Sequence, residues 1–275
     1  MIDAEMQKEL FMRMCEKHFA GFPGNKISIP DIGEVTLFDT PLIGFASAAD
    51  ELFTQFKQPA VIGSMFWTPM EWLPEAKTVV SFFFPFSEAV RSSNREDDKL
   101  PSTQWLYGRI EGQQFIDGYM KHLGDLLLQQ GDKMCIPSLD ERLAMQMEPT
   151  EEKGFHVNNR WSERHAAYAC GLGTFGLSRG LITEKGMAGR FASIIMDRAL
   201  PADLRFYTGV YEDCIRCGAC AKNCPAGAIS LAHGKNNAIC SSYLNQYKEQ
   251  FAPRYGCGKC QVGVPCEYQT PALNE

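Results

Sequence analysis

The sequence lacks any apolar run of the roughly 20 residues needed to cross a bilayer. The most apolar stretch, Thr78-Val79-Val80-Ser81-Phe82-Phe83-Phe84-Pro85-Phe86, is much shorter and reads as a buried strand. A surplus of positive charge is also missing: 27 Lys and Arg face 33 Asp and Glu, for a net charge of -6 and a pI near 5.5. That balance argues against a general phosphate-binding surface, so a nucleic-acid partner is unsupported. The opening Met1-Ile2-Asp3-Ala4-Glu5 carries neither a basic region followed by an apolar one nor a twin-arginine pair, which leads to the expectation of a cytoplasmic protein without a membrane anchor. No internal repeat marks the first 200 residues, and no low-complexity tract interrupts the chain. Cysteine is the residue present in excess. Eleven thiols in a compartment that disfavours disulfides call for metal or redox chemistry.

Their distribution divides the chain. Cys15, Cys135 and Cys170 stand alone and read as small buried apolar residues, whereas Cys214, Cys217, Cys220, Cys224, Cys240, Cys257, Cys260 and Cys266 crowd into the C-terminal quarter. A boundary near residue 205 follows, with one domain over residues 1–205 and a smaller one over 206–275. In the first, residues 46–57 and 107–130 have helical periodicity, and residues 79–84 and 191–196 are short β-branched or aromatic runs suited to buried strands. Interleaved helices and strands give an α+β class. Ser162 is placed to cap a short helix running to Cys170. Gly171 would end that helix in a left-handed conformation, and Gly171-Leu172-Gly173-Thr174-Phe175-Gly176 would follow as a tight loop. The polar, charged segment 92–101 reads as a solvated loop.

Cys214-x2-Cys217-x2-Cys220-x3-Cys224-Pro225 has the bacterial ferredoxin spacing, in which a tight loop presents three thiolates to one cube and sends the fourth to another. Cys257-x2-Cys260-x5-Cys266 supplies the return arm, with Cys240 between the two arms. The crossing rule assigns Cys214, Cys217, Cys220 and Cys266 to one 4Fe-4S cluster and Cys224, Cys240, Cys257 and Cys260 to a second. Gly218, Ala219 and Ala221 keep bulk away from the cluster sulfurs, and Pro225 fixes the turn. Two four-thiolate zinc sites are the alternative for paired Cys-x2-Cys motifs. Three cysteines at successive x2 spacing followed by x3-Cys-Pro favour iron–sulfur.

The cysteine arms, with Cys240-Ser241-Ser242-Tyr243-Leu244 and Tyr255-Gly256-Cys257-Gly258-Lys259-Cys260-Gln261, resemble epoxyqueuosine reductases and the related corrinoid-dependent reductive dehalogenases. Upstream, Glu163-Arg164-His165-Ala166-Ala167-Tyr168-Ala169-Cys170-Gly171-Leu172-Gly173-Thr174-Phe175-Gly176 is similar to that family's Glu-Arg pair, short helix and glycine loop. Gly180-Leu181-Ile182-Thr183, Gly189-Arg190-Phe191, Asp197 and Leu200-Pro201 keep the register. The resemblance extends from about residue 155 to residue 270. It implies a nitroreductase-like sandwich domain followed by a two-cluster ferredoxin domain, with a base-off cobalamin between them. It also implies that Gly171, Gly173, Gly176 and Arg190 contact that cofactor. In this register the acid expected as proton donor falls at Val157, which cannot deliver a proton. His156 and Tyr168 are the nearby substitutes. The return arm also has five residues rather than three between Cys260 and Cys266.

Two functions stay open. One is a cobalamin-dependent reductase that takes electrons from ferredoxin or flavodoxin and reduces a small organic substrate. The acidic balance and Val157 weigh against the tRNA version of that chemistry. The other is a non-catalytic electron carrier, or a reductive activator of a corrinoid protein, with no cobalamin of its own.

Overall fold

The computed structural model describes residues 3–149 and 155–271, without the side chains of residues 148, 149, 155 and 156. Side-chain alternation along two strands sets the layers. Strand β4 (Thr78–Pro85), buried at every position, pairs antiparallel with β10 (Gly189–Met196) from Thr78↔Met196 to Pro85↔Gly189. Val80, Phe82 and Phe84 of β4 and Ala192, Ile194 and Met196 of β10 enter one core, while Val79 and Ile195 enter another. Successive strand residues point to opposite faces, so a strand covered on both sides reads as a continuous apolar run. β3 (Leu42–Ser47) pairs with β4 and β5 (Met134–Cys135) with β10, completing a four-stranded sheet of order β3-β4-β10-β5.

Helices α1 (Ala4–Gly21) and α5 (Thr103–Gln129) cover the first face. The Ser102 hydroxyl caps α5 by accepting from the Trp105 N–H at 3.1 Å. Phe115, Ile116, Tyr119, Met120, Leu123 and Leu127 then line its buried stripe at three- and four-residue spacing. Tyr119 Oη donates to the Cys15 carbonyl at 2.8 Å, fixing α1 to α5. A Cβ at Gly112 would stand 2.8 Å from the Phe38 ring, so glycine there permits the close approach of helix and hairpin. That hairpin is β1 (Lys26–Ile29) with β2 (Gly33–Thr36). On the second face lie α2 (Glu51–Gln55), α3 (Pro69–Trp72) and α6 (Glu163–Ala169), with Phe53, Phe56, Trp72 and Trp161 packed among them. β6 (Met145–Pro149) pairs with β7 (Phe155–Asn159), and β8 (Gly173–Phe175) pairs with β9 (Leu181–Thr183).

Three local expectations change. Residues 46 and 47 end β3, and the helix foreseen over 46–57 starts only after Asp50, whose carboxylate caps Leu52 N–H at 3.0 Å. A cap placed there outweighs the weak periodicity before it. Part of the loop foreseen over residues 171–176 is strand β8. The segment 92–101 is only partly solvated. Its first two residues end α4 (Glu88–Ser93), Ser93 and Asn94 are buried, and Asn94 contacts the C-terminal part of the chain.

That C-terminal part contains α7 (Ala219–Lys222), the short pair β11 (Ile229–Ser230) and β12 (Gly234–Lys235), and α8 (Asn237–Gln246). Buried polar ties help hold it to the sandwich. Asn94 Nδ2 donates to the Cys257 carbonyl at 3.0 Å, and Lys259 Nζ donates to the Asn94 carbonyl at 2.7 Å. Glu267, 2% exposed, accepts from Arg91 at 3.2 Å and from Arg95 at 2.5 Å. Among the described residues, no helix is long and apolar enough to cross a membrane.

Candidate metal centre and the polar cluster beside it

The loop before α7 is built for close approach. Gly218 has φ 76°, Ala219 and Ala221 follow, and Ala228 N–H donates to Cys224 Sγ at 3.3 Å. Cys214, Cys217, Cys220 and Cys266 ring a small cavity, which Ile182, Met187 and Val264 also line. Burial pushes the Cys266 thiol up to about 12, and neighbouring Cys220, Cys214 and Cys217 press in the same direction. Burial likewise raises Cys220 to about 11, with Cys260, Cys214 and Cys217 adding to it. The other four gather around Cys260. Burial raises this thiol, and Cys240 and Cys224 raise it further against Lys235. Burial also pushes Cys257 up to about 11, with Cys260 and Cys240 contributing. Thiols this crowded resist ionising unless a bound cation compensates the charge, which a coordinated metal does. The donor set therefore fits thiolate-ligated iron. Among the described residues, no three Cys, His, Asp or Glu side chains converge as a single-ion site. The side chains instead form two groups, one made by Cys214, Cys217, Cys220 and Cys266 and the other by Cys224, Cys240, Cys257 and Cys260. They meet between Cys220 and Cys260.

A cluster of desolvated polar groups includes Arg164, which is within electrostatic reach of Cys260. Arg164, at the start of α6, is exposed at its surface, yet desolvation pulls its pKa down, and Cys260 and Arg179 lie within its electrostatic reach. Arg164 Nη1 donates to the Arg179 carbonyl at 2.6 Å. Arg190 of β10 is lowered to about 10 by desolvation and by Arg109, with Tyr255, Asp117 and Arg164 also near. Its Nε donates to Gln113 Oε1 at 2.6 Å, and Gln113 Nε2 donates to Asp117 at 2.6 Å. The Arg109 guanidinium stands 4.4 Å from the centre of the Tyr255 ring, and its buried Nε has no partner. Both carboxylate oxygens of Glu163 are buried without a hydrogen bond. The nearest donors, Trp161 Nε1 and the Ser193 hydroxyl, bond each other at 2.9 Å. Desolvation raises Glu163 to about 7; Ser193 and Trp161 offset part of that rise.

Residues 207–230 match the 4Fe-4S binding domain model. Among curated proteins, epoxyqueuosine reductase of Salmonella typhimurium is 25% identical over 217 residues, covering 74% of this chain and 51% of its own length. That of Yersinia pestis is 32% identical over 115 residues, 38% of this chain and 27% of its own. The chain is similar to epoxyqueuosine reductases and carries a match to the 4Fe-4S binding domain. It spans about half the length of the Salmonella relative. Epoxyqueuosine reductase from Bacillus subtilis shares the fold, with TM-score 0.54 and 18% identity over 98% of this chain and 68% of that one. A reductive dehalogenase whose dehalogenation is B12-dependent gives TM-score 0.51 and 16% identity over 84% of this chain and 30% of its own.

The glycines that the family register marks as cofactor contacts have backbone reasons of their own. Gly171 ends α6 at φ 79°, and its Cβ would meet Asp203 and Leu204 at 3.5 Å. A Cβ on Gly173, at φ 149°, would lie 1.8 Å from the Ile182 carbonyl oxygen, so the β8–β9 pairing alone demands glycine. Gly176 lines the cysteine cavity, and its N–H donates to the Gly180 carbonyl at 2.7 Å. Of the four residues marked for the cofactor, only Arg190 stands in the polar cluster. Val157 pairs with Met147 in the β6–β7 hairpin, whereas the His156 side chain lies outside the described residues. Tyr168 is 7% exposed among Phe175 and Tyr207, a packing position. Ser162 begins α6, but its hydroxyl bonds His165 Nδ1 at 2.8 Å rather than capping the backbone. Cys15, Cys135 and Cys170 are buried as expected, and burial raises all three thiols. Sequence reasoning missed Arg109, Gln113 and Asp117. Their spacing on α5, one turn apart, is the signal that would have found them.

Proposed function

We propose that the chain is a reductase of the epoxyqueuosine reductase type. Cys214, Cys217, Cys220 and Cys266 hold one 4Fe-4S cluster, and Cys224, Cys240, Cys257 and Cys260 hold a second. Residues 1–205, read as a nitroreductase-like sandwich, carry the reaction site, and residues 206–275 carry the clusters. Arg109, Arg164, Arg190 and Tyr255 suit a base-off cobalamin, whose amide and phosphate oxygens accept from planar guanidinium donors. Such a cofactor supplies strongly reducing cobalt, and the clusters supply electrons one at a time.

The chain's own residues do the rest. The arginines orient an oxygen-rich ligand, and Gln113 fixes the Arg190 fork. Glu163, at about 7, can hold a proton near neutral pH. The observation carrying this reading is the gathering of Arg109 and Arg164 around Arg190, with Cys260 within electrostatic reach of Arg164. A small organic substrate is favoured over tRNA by the net charge of -6. Val157, in place of the expected acid, favours a second reading: an electron carrier or reductive activator of a corrinoid protein.

Anaerobic reconstitution with iron, sulfide and cobalamin, followed by gel filtration, separates the two readings. Co-elution of about eight iron with a corrinoid spectrum supports the reductase, and iron without corrinoid supports the carrier. Zinc in place of iron would sink both.

A further inference from the structure

Of the eight C-terminal cysteines, Cys217 alone is exposed, and the remainder are intermediate. Beside it in sequence, Cys214 and Arg216 line an open groove together with Arg179, His233, Tyr211 and Leu231. Arg179, Arg216 and His233 are all exposed. Among the described residues, no acid lines this groove, and those of the same stretch are held by backbone and hydroxyl donors. Glu212 Oε2 accepts from the Thr208 and Gly209 N–H groups, each at 2.8 Å. Asp213 Oδ2 accepts from Thr174 N–H at 3.0 Å and from its hydroxyl at 2.8 Å. The groove is thus locally cationic on a chain whose net charge is -6.

Backbone conformation singles out the same residues. Only Asp31, Arg179 and Arg216 among the described non-glycine residues have positive φ, with Arg179 at 62° and Arg216 at 50°. Glycine adopts this region freely, and arginine does so against steric resistance. Both arginines are nevertheless held there, and both line one groove. Leu231, 52% exposed, and Tyr211, 55% exposed, add apolar surface between the charges. The groove on the Asn94 side differs, because Asp97 and Asp98 interrupt its lysines and no cysteine lines it.

We propose that the face formed by Arg179, Arg216, His233, Tyr211 and Leu231 beside Cys214 docks a small acidic electron-carrier protein. The inference rests on the two-cluster reading above and adds the place where electrons enter. A reduced flavin or iron–sulfur centre of the donor loses one electron, and the cluster held by Cys214, Cys217, Cys220 and Cys266 gains it. No bond forms or breaks. Complementary charge steers such encounters and makes their rate dependent on salt, and a small apolar centre with a charged rim suits a partner that must leave after each transfer.

The test uses the reconstituted chain and photoreduced flavodoxin as donor. Arg179→Asn with Arg216→Asn removes both charges while keeping residues that tolerate left-handed backbone, and Arg179→Glu with Arg216→Glu reverses them. Stopped-flow reduction by flavodoxin should slow about tenfold or more in the Asn pair and further in the Glu pair, with a weaker dependence on salt. Titration calorimetry should show oxidised flavodoxin binding the Asn pair at least about tenfold more weakly. Iron content, and reduction by methyl viologen radical, should match the parent chain. An iron-loaded Asn pair that accepts flavodoxin electrons at the parental rate overturns the docking face alone. A parent chain that reconstitutes without iron overturns the two-cluster reading beneath it.

Discussion

Replacing Glu267 by alanine tests how the C-terminal segment is secured. The carboxylate is 2% exposed and accepts four hydrogen bonds from three residues: Arg91 at 3.2 Å, Arg95 at 3.1 and 2.5 Å, and Gly263 N–H at 2.7 Å. Its backbone carbonyl accepts from Met187 and Ala188 at 3.2 and 3.0 Å, so the side chain sits where both chain segments are already fixed. Removing one partner of a buried ion pair costs about 3–5 kcal/mol. Arg95, with 37% of its side chain exposed, contributes little to that figure. Arg91 keeps Glu88 at 2.9 Å and the Phe86 carbonyl at 2.9 Å, which places the loss at the lower end, about 3 kcal/mol. For a chain of this size that lowers the midpoint of thermal unfolding by about 6–12 °C. Differential scanning calorimetry of the reconstituted chain measures it, and iron loss to a chelator should quicken first at the cluster holding Cys266. A shift under about 2 °C would refute the reasoning, because it would show that Arg91 is satisfied without Glu267.

Other outcomes follow from the same geometry. The ordinary carboxyl pKa of 4.5 is raised to about 7 at Glu163, chiefly by desolvation, so the folded state keeps a proton that the unfolded state has released. Stability should therefore fall as pH rises from about 4.5 to 7, by up to about 3 kcal/mol. Glu163→Gln should abolish that slope in urea unfolding, and an unchanged slope would show the carboxyl is not desolvated. Cys214→Ala with Cys217→Ala, and separately Cys257→Ala with Cys260→Ala, should each reduce iron from about eight to about four per chain. Loss of all iron in either pair would mean that the two sites do not form independently. Gly173→Ala should cost more than about 3 kcal/mol, because its Cβ would strike the Ile182 carbonyl. Gly171→Ala, which meets ordinary contacts, should cost about 1 kcal/mol. Equal losses by thermal melts would contradict the β8–β9 clash.

Some features of this protein are fixed by short-range rules. The β4 and β10 runs are apolar at nearly every position because both faces of the sheet are covered, and the α5 stripe has the helix period. Cys214 to Cys224 crowd together because a loop with x2 and x3 spacing cannot place its thiols far apart. Other features arise only where distant segments meet. Arg91 and Glu267 are 176 residues apart, and neither has a local signal for the other. The segment 92–101 looks like a solvated loop until Asn94 and Lys259 bury one another. The glycines of 171–176 suggest ligand contacts by register, yet the backbone of β9 accounts for Gly173 and a helix end for Gly171. Glu163 and Arg164 are adjacent in sequence and read as one motif. The fold gives them different surroundings: both Glu163 carboxylate oxygens are buried, whereas the exposed Arg164 donates to the Arg179 carbonyl at 2.6 Å. Spacing constrains what a few bonds of chain can reach, whereas desolvation, ion pairing and exposure depend on which remote surfaces close over a group.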